Sequence, residues 1–441
     1  MSIQKQILSS FNKLPMNEKI ATLERLEKSM KTDPTTMLPP EIILLILQFM
    51  DYKDLLSLKQ ISRSYYNLIK DQNLWYKLYL RKYPWKNSMD YSRSEEYFNT
   101  QHHVDNNWNT LKYKVHTTKI HSRGIYCVDI CDNLIVCGGR DQTVKMFDLQ
   151  GKLLAEMRGH TASVLCVQLV SGADIPEHSS IPSHLYPMSL RNRIVSGSSD
   201  ASVSIWDTSN ATLLVKFPAH SEAVLNVSVF DNFHTFATCS KDRHVRLWDI
   251  NNLQTPLLSM DGHQAAVNSV VALKDLIVSA GGDRVIKVWD KRNGTVCMTL
   301  QGHDRGIACL DVDEHYIASG SSDKTIRIHD LRMGTCFNVI RAHDELVRTV
   351  CINSRRNIIV SGSYDCKVIA SHFKESTTSQ ILEPPKQPYP VLEYSNDRKQ
   401  LQQTLEMGLG HSSRVFNVAM SNERIVSVAE DNRIIFWNFN Q

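Results

Sequence analysis

The sequence predicts an all-β seven-bladed propeller preceded by a small all-α domain, and three observations carry that prediction. A unit of Gly-His, apolar strand, Ser/Gly-rich turn ending in Asp, and Trp-Asp recurs along the chain. Between these markers apolar and polar residues alternate, as in IVSGSSDASVSIWD and RHVRLWD, which is the period of half-buried strands. Ahead of the repeats, the stretch from Leu38 to Pro84 carries a helical pattern instead.

The repeat markers set the count. Seven residues separate Asp141 from Asp148, Asp200 from Asp207, Asp242 from Asp249, Asp283 from Asp290 and Asp323 from Asp330. The same step leads from Asp365 to His372 and from Asp431 to Asn438, where the second Asp is replaced. The leading histidines are His121, His160, His220, His263, His303, His343 and His411. From His to turn Asp the distance is 20 residues in four repeats, 22 in two and 40 in the second. Four short strands per unit of about 40 residues, seven times over, make a seven-bladed propeller. This pattern resembles the WD-repeat family over about three quarters of the chain.

The last repeat stops after its third strand, so it has no residues left for an outer one. Residues 110–116, TLKYKVH, read like the outer strands of other repeats, such as TLLVKFPAH. The closing blade is then shared between the two ends of the chain, which leaves no open edge.

The chain has 441 residues, a size that fits two or three domains, with 42% hydrophobic and 22% charged residues, as in a globular protein. Residues 1–120 hold 18 basic and 12 acidic residues, and residues 121–441 hold 32 and 34. The larger part therefore lacks the basic excess of a protein held by nucleic-acid phosphates, and no nucleic acid is expected as a partner. The ten cysteines form no C-x-x-C pair and no zinc-site spacing, so neither metal nor cofactor is expected. The opening MSIQKQILSSFNKL has no apolar signal region, and the longest apolar run, IILLIL, is too short to span a bilayer. The expectation is a cytoplasmic or nuclear protein with reduced thiols and no membrane partner.

Sets such as His160, Ser196, Asp200 and Trp206, or His263, Ser279, Asp283 and Trp289, carry the residue types of a hydrolase. A catalytic triad is needed once, facing an open pocket. A set repeated in blade after blade is expected to be a buried hydrogen-bond network, and the chain is read as non-catalytic. The first repeat departs with Cys137 and Phe147, the fifth with His329, and the sixth with Ser371 and His372. Those blades should be less rigid than the second, third, fourth and seventh.

Two Pro/Ser-rich insertions break the period. Residues 171–192 fall between the first and second strands of blade two, and residues 374–399 between the third and fourth strands of blade six. Both are expected on one face, leaving the face of the His and Asp loops unobstructed. In WD-repeat proteins that face commonly carries the ligand, through the residue before the turn Asp and the one five after the leading His. Carried onto this chain, those positions are Tyr126, Arg140, Lys241, Arg348, Tyr364 and Phe416, with Arg414 nearby. Blades six, seven and one hold all of these except Lys241, in blade three. Arginine and aromatic residues are those enriched in binding hot spots.

The helical stretch opens with LPPEIILLILQFM, apolar almost all round, with breaks at Asp51 to Asp54 and at Asp71 to Asn73. A three-helix core covers one stripe of such a helix, and the rest needs another surface. LPPEIILLIL…DLLSLKQISRSYYNL…LW resembles the F-box, with Tyr65 where that family usually has Trp. The resemblance implies docking to a Skp-family adaptor through Leu38, Pro39, Ile42, Ile46, Leu47, Leu55, Leu58 and Trp75. Upstream, residues 11–30 form an amphipathic pattern similar to the dimerisation helix of some F-box/WD-repeat proteins. A homodimer and packing against the F-box both stay open. The expected organisation is a helix within residues 1–34, the F-box over 35–84, a linker over 85–109 and the propeller over 110–441.

An F-box followed by a WD propeller resembles the substrate receptors of SCF-type ubiquitin ligases. That resemblance implies an adaptor, and through it a cullin and a RING subunit, with a target degron peptide on the propeller. A phosphorylated degron is one option, since Arg140, Lys241, Arg348 and Arg414 can pair with phosphate. The competing reading is a scaffold that acts without ubiquitylation.

Overall fold

The structure is a computed structural model. It describes residues 38–83, 91–110, 112–119, 121, 123–131, 133–170, 192–230, 233–373, 379–382 and 410–440. The upstream helix expected within residues 1–34 lies outside these. The chain divides into two compact units, Met1–His103 and Val104–Gln441.

In the first unit α1 (Pro40–Leu47), α2 (Tyr52–Ile61), α3 (Arg63–Ile69) and α4 (Gln72–Lys82) follow the predicted breaks. Pro40 opens α1, where its missing N–H costs nothing. Asp71 caps α4 by accepting from the Asn73 N–H at 2.9 Å. A further break falls at Ser62, whose hydroxyl caps α3 through the Tyr65 N–H. The core gathers Ile43, Leu47, Leu55, Ile69, Leu74, Trp75, Leu78, Tyr79, Tyr83 and Phe98. The Trp75 indole N–H is satisfied by the Ile69 carbonyl at 2.6 Å.

Residues 85–109, expected as a linker, include a seventeen-residue helix, α5 (Ser94–Thr110). Apolar residues at helical spacing explain it. Phe98 packs on Tyr52, Trp75 and Tyr83 in the first unit. Val104 and Trp108 belong to a core cluster of the second.

The second unit is seven four-stranded antiparallel sheets. Six are consecutive in sequence. The seventh joins Val415–Met420, Arg424–Ala429 and Arg433–Asn438 to an outer strand, Lys114–Lys119, from the start of the unit. The ring is thus closed as expected, with the closing strand four residues later than predicted. The reason is α5, which runs to Thr110, where the Thr110 hydroxyl donates to the Asn106 carbonyl.

The closure is reinforced from the same helix. The Trp108 ring stacks on Phe439 at 3.9 Å and donates its indole N–H to the Asn422 carbonyl at 2.9 Å. The Asn107 amide donates to the Phe439 carbonyl at 2.8 Å, and Arg356 bonds both Asp105 and the Asn422 carbonyl. Both ends of the unit are therefore pinned to each other by packing as well as by a sheet ladder.

The first insertion lies where it was expected. Residues 171–191 separate the inner strand Val164–Val170 from its neighbour Arg193–Ser198. The second does not. Blade six has its fourth strand at Ser379–Leu382, inside the expected insertion, paired with Val368–His372. In the other continuous blades the fourth strand begins five to nine residues after the third ends, and Ser379 follows His372 by seven. The long stretch is therefore 383–409, after the outer strand. Leu382 pairs with Val368, beside the Asp365 turn, and the Gly410 α-carbon faces the Cys366 carbonyl. Leu382 and Gly410, the described residues on either side of this stretch, lie at the face of the Asp turns, so the expectation that both insertions attach to the opposite face is corrected; residues 383–409 themselves lie outside the described residues.

Replacing Trp108 by Ala in the full chain is expected to cost the propeller about 3–5 kcal/mol, as for other buried Trp truncations. Calorimetry should show the propeller transition lowered, with Trp108→Phe recovering most of the loss because the stack on Phe439 survives.

Candidate functional site

The face of the Asp turns is held rigid by one repeated arrangement, complete in blade three. The Asp242 carboxylate lies 2.9 Å from His220 Nδ1 and accepts the backbone N–H groups of Ser221 and His244. On its other edge His220 Nε2 lies 2.8 Å from the Thr238 hydroxyl, which also accepts the Trp248 indole N–H at 2.9 Å. Blades two and four repeat it through Ser196 with Trp206 and Ser279 with Trp289. These histidines are buried, and every hydroxyl is already engaged, so the sets have the geometry of a structural network.

Burial pushes His220 down to about 4 despite the Asp242 charge. Burial alone would raise Asp323, but hydrogen bonds from Thr325 and His303 outweigh it and hold it at about 2. In blades two, three and five burial lowers the histidine and hydrogen bonds lower its aspartate, so there the pairing favours neutral imidazole beside carboxylate.

The departures leave real gaps. With Cys137 replacing Ser, His121 Nε2 is buried without a hydrogen-bond partner among the described residues, and in blade five neither ring nitrogen of His329 reaches a partner in good geometry among them. Ser371 in blade six is likewise unpartnered. Blade seven was expected to be complete. It is not: His411 reaches Ser427, but the Trp437 indole N–H bonds nothing.

Of the seven predicted face residues, the structure brings four into one chain of contacts. Tyr126 and Phe416 lie 5.2 Å apart, Phe416 and Tyr364 meet edge to face at 5.9 Å, and the Arg414 guanidinium covers Tyr364 at 5.2 Å. The three rings are half-buried, and Arg414 and Arg140 are exposed. Arg348 is half-buried, with Nη1 turned to the Ala308 carbonyl of blade five at 3.4 Å. Lys241 is not part of this group. It stands exposed in blade three with Glu222 at 4.0 Å.

In the helical unit the predicted adaptor residues divide. Leu47, Leu55 and Trp75 are at most 1% exposed inside the unit's own core, so they shape a surface rather than form it. Leu38 and Leu58 pack against that core while staying partly exposed. Pro39 is exposed and Ile42 and Ile46 are half-buried, because Ile43 and Leu47 occupy the inward stripe of α1. Phe49 at 38% and Ile61 at 62% exposure add apolar surface that the sequence reading missed. Ile61 is the last residue of α2, beside the break at Ser62.

Comparison with known families agrees with both units. An F-box-like family model matches residues 36–81. The WD domain, G-beta repeat model matches residues 112–148, 151–207, 211–249, 254–290, 294–330 and 334–369, more than half of the chain. The chain belongs to the F-box/WD-repeat proteins. Each matched segment runs from an outer strand to the third strand of the next blade, and the seventh blade is evident from the sheet order alone. Such a protein has a protein-interaction or adaptor role.

Among its relatives, a ribosome biogenesis protein WDR12 homolog from Nematostella vectensis is 26% identical over 41% of this chain and 48% of that protein. Cell division control protein 4 of Candida albicans is 21% identical over 64% of this chain and 45% of its own length. A U3 small nucleolar RNA-associated protein 15 homolog from Gallus gallus is 30% identical over 38% and 30% respectively. The chain spans less than half the length of each of these relatives. No helix among the described residues is long and apolar enough to cross a membrane.

Beneath the face of this F-box/WD-repeat protein, inner-strand side chains tie each blade to the next. Asp129 accepts the Leu169 N–H at 2.7 Å, Gln168 that of Val229, Ser228 that of Ala272, and Asp311 that of Ile352 at 2.8 Å. The sequence signal was there, an acid interrupting an apolar inner strand in CVDIC and CLDVD, but it was not read. Both aspartates are half-buried. Burial raises Asp129 to about 6 and Asp311 to about 7, against the backbone N–H bonds that lower them.

A carboxyl held above its unfolded value keeps its proton longer in the folded state. Stability from Asp311 is thus full below about pH 4 and falls as pH rises towards 7. In Asp311→Asn that slope should vanish. Urea midpoints of wild type and variant at pH 4.5 and 7.5 should diverge in the variant's favour at the higher pH.

Proposed function

We propose that this chain is the substrate-recognition subunit of an SCF-type ubiquitin ligase. The observation that carries the reading is the outward row Pro39, Ile42 and Ile46 on an F-box-like helix whose other stripe is already buried. An apolar row of that kind is held in water only if a partner covers it. The partner proposed is a Skp-family adaptor, and through it a cullin and a RING subunit. The propeller then presents a short target segment at the face of the Asp turns in blades six, seven and one. Holding the target raises the effective concentration of its lysines near the conjugating enzyme, so no bond is broken by this chain. Arg414 and Arg140 are the groups proposed to pair with an acidic or phosphorylated residue of that segment. Similarity to cell division control protein 4 supports a regulatory role, and the location proposed is the cytoplasm or nucleus.

Relatives named for ribosome biogenesis and for the U3 small nucleolar RNA favour a second reading, a scaffold in a nuclear assembly. Cullin separates the two. Full-length protein drawn from a eukaryotic lysate should bring down adaptor and cullin together. Ile42→Ala with Ile46→Ala should weaken adaptor capture by about tenfold or more while leaving the melting profile unchanged. Adaptor without cullin would favour the scaffold, and capture unaffected by the variants would dismiss the docking surface.

A further inference from the structure

The sector formed by blades six, seven and one has a floor and a rim of different chemistry. Its floor is three half-buried rings, one from each blade: Tyr364, Phe416 and Tyr126. Neither tyrosine hydroxyl has a hydrogen-bond partner among the described residues. The rim carries Arg414, already laid flat over Tyr364, and Arg140, and neither has a carboxylate within 4 Å among the described residues. Arg348, the third arginine expected to hold an anion, donates to the Ala308 carbonyl instead. Glu430 flanks the same sector: its backbone lies against Gly124, and its N–H donates to the Arg414 carbonyl at 3.1 Å.

A phosphate or carboxylate centred on this floor would lose water over three ring faces and regain little. An apolar side chain loses nothing there and covers the rings. The rim, with exposed guanidinium groups and a carboxylate beside them, suits one anion rather than a cluster. Blade four, across the ring, offers no comparable floor, since its positions are Asn268 and Gly282, and blade five beside the sector has only Ala308 and Ser322. The Asn268 amide is also already given to the Ile307 carbonyl.

We propose that this sector recognises a peptide by a large apolar side chain seated on Tyr126, Tyr364 and Phe416, with one neighbouring anionic side chain on Arg414 or Arg140. This deepens the reading of the face as a peptide-binding surface and rests on it. The anchor sets specificity, and the anion, a carboxylate or a phosphate, adds affinity that salt weakens.

The test is selection of a phage-displayed random dodecapeptide library on the full-length protein, and on a variant with residues 384–408 replaced by a short Gly-Ser link. Recovered sequences should share a Phe, Tyr, Trp, Leu or Met with one acidic residue within about three positions of it, the reach of adjacent extended residues. A synthetic peptide of that sequence, titrated by fluorescence polarisation, should lose at least tenfold when its anchor becomes Ala, at both 50 and 500 mM salt. Replacing its acid should matter only at the lower salt, and a phosphoserine there distinguishes the two anions. Phe416→Leu should bind more weakly and Tyr364→Ala weaker still, each with an unchanged melting profile, whereas Arg284→Glu on the opposite sector should bind as wild type. Recovery of acid-only sequences, binding abolished at 500 mM salt, dependence on Arg284, or no enrichment on either protein would overturn the proposal. Adaptor and cullin capture is read separately, so loss of the ligase reading leaves these outcomes interpretable.

Discussion

The propeller depends on the aspartate in the turn between the second and third strands of each blade. One carboxylate answers three needs there. It accepts the N–H two residues ahead, which sets the turn. It fixes the leading histidine, and it takes the N–H that follows that histidine, as Asp242 does with His244, His220 and Ser221. The residue after each turn aspartate has φ between +63° and +74° although none is glycine: Gln142, Ala201, Arg243, Arg284, Lys324, Cys366 and Asn432. A left-handed conformation costs roughly 1–2 kcal/mol without glycine. The bonds made by the aspartate offset that cost seven times over, and the loops of one face are rigid as a result.

A ring of blades needs a second constraint, because sheets that are stable one by one still have to be ordered around a circle. Side chains on the inner strands meet it by reaching the backbone of the next blade. At the junction of blades six and seven the Thr349 hydroxyl takes the Val418 N–H. Where the chain's two ends meet, the device changes: a strand ladder and the Trp108–Phe439 stack replace it. The ring is therefore held by polar ties around its channel and by packing at its seam.

How much of this was legible in the sequence follows from which features repeat. His, Asp and Trp recur at fixed spacing, so blade number, closure and the buried network could be counted. Features that occur once could not. The fourth strand of blade six was lost inside a Pro-rich stretch, and that loss put the insertion on the wrong face. α5 was taken for a linker because its apolar residues are sparse, with Phe98, Val104 and Trp108 each a turn or more apart. Leu47, Leu55 and Trp75 were assigned to an interface by resemblance, whereas only the fold decides which side of a nearly all-apolar helix turns inward. Among the face residues, position within the repeat selects Tyr126, Tyr364 and Phe416, with Arg414 only named as near them, and the contact of these four follows from the closed ring.

The three blades that hold that sector are all incomplete in the repeat, as is blade five beside them. Blades two, three and four keep the whole His–Ser/Thr–Trp bonding. Blade one gives up the Ser and the Trp, blades five and six the Trp, and blade seven leaves its indole unbonded among the described residues. A sequence under selection for the fold alone would restore these bonds, each worth about 1 kcal/mol when made and more when a buried group is stranded. Local rules tend to fail where another demand is being met. The same three blades supply the aromatic floor and arginines with no carboxylate within 4 Å among the described residues, and Leu382 and Gly410, which flank residues 383–409, adjoin the Asp365 turn of blade six. The loss of internal bonding and the gain of accessible recognition chemistry therefore fall on one side of the ring, which is how a nearly sevenfold scaffold acquires a single binding direction.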